Sequence, residues 1–114
     1  MSRSATEYLR HILDEVHYVV EHSQELSKES FLLDETKKRA FVRSLEIIGE
    51  ATKKLPEDFR SVQDHIEWRS IAGMRDRLIH DYFGVDYEIV RDVITSKIPE
   101  FRDEIEKLLS EADS

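Results

Sequence analysis

Cysteine is absent from all 114 residues, which removes disulfides, thiolate metal sites and cysteine nucleophiles. Glycine occurs three times and proline twice, so breaks are few and long helices are favoured over many short strands. No apolar run approaches the roughly 20 residues of a membrane span, and the opening segment MSRSATEYLRHILDEV has no apolar signal core. A cytoplasmic location with no membrane partner is therefore expected. Positive charge is in deficit, with 17 Lys and Arg against 25 Asp and Glu and a net charge of −8. That balance argues against a protein that coats nucleic acid with its whole surface. A small basic cleft stays open, since a phosphate site needs only a few donors.

Charged residues make up 37% and hydrophobic residues 39%, a composition suited to a bundle with a wet outer face. The length suits a single domain, residues 1–114, with a modest core. Leu9, Ile12, Val16 and Val19 recur at helical spacing and predict a first helix over Ser4–His22, with Leu13 and Val20 widening its stripe. The stretch SQELSKESFLLDE interrupts this pattern and reads as a connection with one short turn around Phe31. Asp34 is placed to cap a second long helix carrying Phe41, Leu45, Ile48 and Leu55, which Pro56 ends. Gly49, inside that helix, implies a close approach of another helix.

Glu57 to His65 reads as loosely structured, and a third helix is predicted from Glu67 towards His80. Gly84 and Asp86 mark a break and a new cap. Ile89, Val90, Val93 and Ile94 then form a fourth helix, and Pro99 starts or kinks a fifth containing Phe101, Ile105, Leu108 and Leu109. The expected fold is all-α, an up-and-down bundle of four or five helices.

Chemistry concentrates in RDRLIHDYFGVD, Arg75 to Asp86. On the predicted third helix Trp68, Ile71, Ala72, Arg75, Ile79 and Tyr82 share a stripe flanked by Met74 and Leu78, which puts Arg75 on or beside the buried face. A desolvated guanidinium needs acceptors, so the face holds either an acidic partner or a cleft. His80 follows five residues on, about 140° around an ideal helix, and aligns with Asp76 one turn earlier. One straight helix does not aim Arg75 and His80 at one atom, whereas two copies across a two-fold axis can. Such a composite cleft suits RNA phosphodiester cleavage without a metal or cofactor. An imidazole moves the 2′-hydroxyl proton, and an arginine holds the phosphate. The plainer alternative makes His80 a helix C-terminal residue and Arg75 one half of an ordinary ion pair.

LEIIGEATKKLP, followed by EWRSIAGMRDRLIHDYFGVDYEIV, closely resembles the HepT-like ribonuclease toxins of the HEPN superfamily. The likeness runs from YLRHILDEV through KIPEFRDEIEKLL. The resemblance implies a helical bundle that dimerises through the motif helix and cleaves RNA without metal, as the toxin of a type VII toxin–antitoxin pair. Arg75 and His80 match the family's catalytic pair and Asp76 the supporting polar residue, a position often filled by asparagine in relatives. Tyr82 completes R-x4-H-x-Y and matches the tyrosine to which a cognate MntA-like nucleotidyltransferase antitoxin attaches AMP. A bulky anionic adduct there would block substrate phosphate. A rival reading keeps the bundle and the neighbour but makes the chain a non-catalytic nucleotide- or substrate-binding module for a nucleotidyltransferase.

Other candidates have plainer readings. His11 and Glu15 are one turn apart, two ligands only, and read as a solvated face rather than a metal site. Glu46 and Glu50 are also one turn apart, and Glu50 is a candidate acidic partner for Arg75 or a residue lining the cleft. Trp68 and Phe83 read as core, and Thr36 to Arg39 as an exposed face that an RNA backbone or an acidic partner could also meet.

Overall fold

A computed structural model describes residues 3–80 and 84–113, with side chains for residues 5–78 and 84–111. The all-α expectation holds. Helix α1 (Arg3–Ser23) buries Ala5, Leu9, Ile12, Val16 and Val19, the predicted stripe extended by one turn. It packs against both α3 (Glu35–Lys53) and α8 (Ile98–Asp113), so the core lies around its apolar face. His17 Nε2 and Glu106 Oε1, 2.8 Å apart, tie α1 to α8 on the outside.

The SQELSKESFLLDE connection contains a helix, α2 (Lys28–Leu33), capped by the Ser27 hydroxyl, which accepts from the Ser30 N–H. Its one buried side chain, Phe31, stacks on Phe41 of α3 at 5.8 Å. Asp34 caps α3 as predicted, its carboxylate accepting from the Lys37 N–H at 3.0 Å. Two of the four residues of the basic run are engaged locally. Lys38 Nζ lies 2.9 Å from Glu35 and 4.4 Å over the Tyr87 ring, and Lys37 Nζ donates to the His22 carbonyl at 3.5 Å.

The expected loose stretch is instead partly helical, forming α4 (Glu57–Val62). Pro56 precedes its first residue, the place where a missing N–H costs least. The fourth and fifth helices expected from the pattern are continuous. Helix α7 (Tyr87–Asp92) runs through a π-helical segment (Val93–Lys97) into α8. The Ile98 N–H bonds to the Val93 carbonyl five residues back, so the turn is widened just before Pro99. A proline inside an α-helix removes one backbone bond and crowds the carbonyl four residues earlier, and the wider turn accommodates both effects. Thr95 Oγ1 and Ser96 Oγ donate back to the Arg91 and Asp92 carbonyls at 2.9 and 2.6 Å, satisfying acceptors there.

The third helix departs most from expectation. It is two short helices, α5 (Trp68–Ala72) and α6 (Met74–Leu78), separated by Gly73. The Gly73 N–H ends α5 on the Arg69 carbonyl at 2.9 Å, and its own carbonyl accepts from the Asp76 N–H at 3.2 Å to begin α6. Glycine holds the helical conformation least well, and the break falls on it. The chain after Leu78 is extended: β1 (Ile79–His80) pairs antiparallel with β2 (Gly84–Val85), with His80 opposite Gly84. Gly84 has φ +77°, where a side chain would be strained. The Asp86 N–H closes the hairpin on the Leu78 carbonyl at 2.9 Å, and the Asp86 carboxylate caps α7 through the Ile89 N–H.

Candidate functional site

Trp68 and Ile71 are buried on α5, but on α6 the buried pair is Met74 and Leu78, one turn apart. Arg75 is therefore not on the core face. Its side chain is 51% exposed, as expected for a residue next in sequence to a buried methionine on a short helix. Asp76 and Arg77 are exposed as well. Arg77 Nη2 donates to the Ser70 carbonyl at 3.0 Å and to Ser70 Oγ at 3.2 Å, stapling α6 back onto α5 across the break.

Arg75 does have an acidic partner, but it is Glu46 and not Glu50. The Arg75 Nε lies 3.3 Å from Glu46 Oε2. The reason is the direction in which α3 and α5–α6 cross. A Cβ on Gly49 would lie 3.4 Å from the Ala72 carbonyl oxygen, so these two positions face each other. Three residues back along α3 and three forward along the other side of this seam, Glu46 meets Arg75. The segments run antiparallel, and Glu50 pairs instead with Lys53 on its own helix. The close approach expected at Gly49 is what brings this seam together.

Glu46 engages only the Nε edge of the guanidinium. Among the described residues nothing else bonds to Arg75, so its two terminal nitrogens remain available. A fork with one side held and the other open is suited to receiving an oxyanion such as phosphate. The pair is partly exposed, with Glu46 28% accessible, so it orients Arg75 more than it stabilises the fold.

His80 is not on a helix at all, so neither the helical angle from Arg75 nor the one-turn alignment with Asp76 applies. Its backbone lies in β1, beyond the turn that ends α6. The His80 side chain, Tyr82 and Phe83 lie outside the described residues.

Glu50 lies one turn further along α3 than Glu46. It pairs loosely with Lys53 at 3.5 Å and lines a cavity of about 290 Å³ between α1 and α3. A smaller cavity of about 130 Å³ gathers His65, Glu67, Glu100 and Glu104 beside Lys97. There the Glu104 carboxyl is held above its ordinary value of 4.5, mainly by burial and next by Glu100, with His65 opposing the rise. Lys97 bridges to Glu67 at 3.3 Å. Trp68 is core, between the rings of Phe59 and Phe101, its Nε1–H donating to the Gln63 carbonyl at 3.0 Å. Sequence reasoning gave Glu46 no role of its own. Its spacing from Gly49 was the available signal, but the crossing direction was needed to use it.

The architecture is that of an all-α, HEPN-like protein in which one exposed arginine stands at a helix-to-hairpin junction. The family model described as Ribonuclease HepT-like matches residues 7–108, and the chain belongs to that family. A Caldanaerobacter subterraneus subsp. tengcongensis protein named "Putative RNase" is 49% identical over 102 residues, covering 90% of this chain and 91% of the relative. A Thermococcus cleftensis protein named "Probable ribonuclease HepT" is 42% identical over 108 residues, 95% of this chain and 98% of that one. A Methanocaldococcus jannaschii protein, also named "Putative RNase", is 38% identical over 106 residues, 93% and 88% of the two chains. No solved structure gives a significant match. Among the described residues no helix is long and apolar enough to cross a membrane.

Proposed function

We propose that this protein is a metal-independent endoribonuclease, active as a homodimer with a composite site and serving as the toxin of a type VII toxin–antitoxin pair in the cytoplasm. The whole chain, residues 1–114, works as one domain. The observation that carries this reading is the family match across residues 7–108, joined to an Arg75 guanidinium whose terminal nitrogens have no partner among the described residues.

In the proposed reaction Arg75 binds the scissile phosphate through those terminal nitrogens and stabilises the charge that builds on it. His80 takes the proton of the adjacent ribose 2′-hydroxyl, and the 2′-oxygen attacks phosphorus. The bond from phosphorus to the 5′-oxygen breaks, and that oxygen takes a proton from the partner's His80. The products are a 2′,3′-cyclic phosphate and a 5′-hydroxyl end. Asp76 is the supporting polar residue beside Arg75, while its charge weakens phosphate binding. Tyr82 is the residue a cognate MntA-like nucleotidyltransferase modifies with AMP, placing a negative phosphate two positions from His80.

The test is cleavage of labelled single-stranded RNA by the purified protein in excess chelator. Wild-type protein should cut, while Arg75→Ala and His80→Ala should not. Intact RNA with wild-type protein would reject the proposal, and nucleotide binding without cleavage would favour a non-catalytic module serving a nucleotidyltransferase. Mixing Arg75→Ala with His80→Ala subunits tests the composite site. Partial recovery of activity supports it, and none argues for sites built within one protomer.

A further inference from the structure

The cavity between α1 and α3 has the composition of a base-binding pocket. Tyr8, Ile47 and Ala51 supply an apolar wall, and Arg43, Lys54 and His11 supply nitrogen donors around it, with Glu50 as the one carboxylate. Among the described residues neither the Arg43 guanidinium nor the Lys54 ammonium has a hydrogen-bond or ion-pair partner. They stand eleven residues apart on α3 and its C-cap, about 16 Å at the helical rise, far enough to meet different phosphates of one strand. An apolar slot between separated cations matches a single RNA strand with one base turned inward.

Its position also fits. Glu50 lines the pocket, and one turn earlier on α3 Glu46 holds Arg75. The pocket therefore begins one helical turn along α3 from the glutamate that holds the guanidinium assigned to the scissile phosphate. We infer that this cavity is a specificity subsite that takes a guanine base flanking the cleaved bond. The inference rests on the ribonuclease reading for its place in the reaction. Glu50 selects the base. Its two carboxylate oxygens accept from two adjacent donors, and guanine alone among the four bases presents two, N1–H and the N2 amino group, side by side on its Watson–Crick edge. Adenine and cytosine offer one amino group on that edge and uracil one ring N–H. The loose pairing with Lys53, at 61% Glu50 exposure, leaves the carboxylate free to turn inward.

Binding and cutting are measured separately so that the two readings can fail independently. Affinity is read with the His80→Ala protein and short single-stranded RNAs containing one guanine, inosine, adenine or uracil in a pyrimidine background. Guanine should bind about tenfold more tightly than adenine or uracil, as expected for one additional hydrogen bond to a charged acceptor, and inosine, which lacks the amino group and offers one donor, should bind no better than they do. Adding Glu50→Gln should abolish the preference while leaving melting behaviour unchanged, because Glu50 is exposed. Adding Arg43→Ala with Lys54→Ala should lower affinity for all four RNAs and reduce the salt slope by about 0.7 for each phosphate no longer neutralised. Cut sites mapped with wild-type protein should lie beside guanine, and with Glu50→Gln they should spread.

Equal affinity for all four RNAs, or a preference that survives Glu50→Gln, overturns the inference even if the wild-type protein cuts RNA. Guanine-selective binding that disappears in Glu50→Gln sustains the pocket even if nothing is cut, and then only the ribonuclease reading fails. If the double substitution changes oligomeric state while RNA affinity stays constant, the face belongs to a second copy of the chain and the inference is wrong.

Discussion

Gly49 allows a direct test of how the Arg75 helix is held. A Cβ at this position would lie 3.4 Å from the Ala72 carbonyl oxygen and 3.5 Å from that of Ile71. Those are ordinary contact distances, so one methyl fits without moving α5. Glycine in a helix interior costs about 1 kcal/mol relative to alanine, and Gly49 lies well inside α3. Gly49→Ala should therefore stabilise the protein by about 0.5–1 kcal/mol, part of the gain being offset by covering two carbonyl oxygens. For a chain of this length that corresponds to a rise of roughly 2–6 °C in Tm.

Gly49→Val behaves differently, because its two γ-methyls extend beyond Cβ into space those carbonyls already limit. Overpacking of this kind costs about 1–3 kcal/mol. Displacing α5 should also separate Glu46 from Arg75, which meet on the same antiparallel seam. Unfolding in urea, followed by the fluorescence of the single tryptophan, Trp68, gives the stabilities. RNA cleavage by the same preparations gives the functional effect. The expected order of stability is alanine, glycine, valine, with activity lost only in the valine protein. An alanine variant about 1 kcal/mol less stable than the parent, or a valine variant as stable as the alanine one, would refute the seam as described.

Three further outcomes can be checked. Glu46→Gln, which keeps an acceptor for Arg75 Nε, should retain most activity, while Glu46→Ala should lower kcat about fivefold, the loss expected from misplacing one hydrogen-bonded group by about 1 kcal/mol; equal activity in both variants would remove Glu46 as a positioning residue. Asp86→Ala deletes the cap that starts α7 directly after the hairpin and should cost about 1 kcal/mol in a denaturant titration, so an unchanged midpoint would show the cap to be idle. Glu104 binds its proton more tightly in the folded protein than in the unfolded chain, so its contribution to stability is greatest below 4.5 and declines as pH rises from there through the raised value. Glu104→Gln should flatten that decline, and a constant difference in urea midpoint from about pH 4 to about pH 7 would exclude it.

The parts of the fold readable in advance were those set by local patterning. The buried face of α1 and the Asp34 and Asp86 caps follow from residues within a few turns of one another, and a single glycine inside a helical stripe marked the close approach at Gly49. They hold because a hydrophobic stripe or a capping side chain acts over the same short span in which it is written. Helix α4 was missed because six residues with no buried side chain carry no apolar period. The break at Gly73 was missed for a related reason: Trp68 to Leu78 reads as helical on either side of it, and one glycine does not by itself end a helix.

The site was legible as residue types and illegible as an arrangement. The motif singled out Arg75, but that the core takes Met74 and Leu78 and leaves Arg75 exposed depended on how α6 packs. Which glutamate it met depended on the antiparallel crossing of α3 with α5 and α6. Placing His80 in a strand required Gly84 to turn the chain back and Asp86 to close on Leu78. The sequence alone determined the long helices α1 and α3, the Asp34 and Asp86 caps and which residues could handle a phosphate, because these depend on interactions between near neighbours. Tertiary structure decided that Glu46 holds Arg75 by one edge and that Glu50 lines a separate pocket, because both depend on the direction in which two segments cross, and no local spacing encodes that.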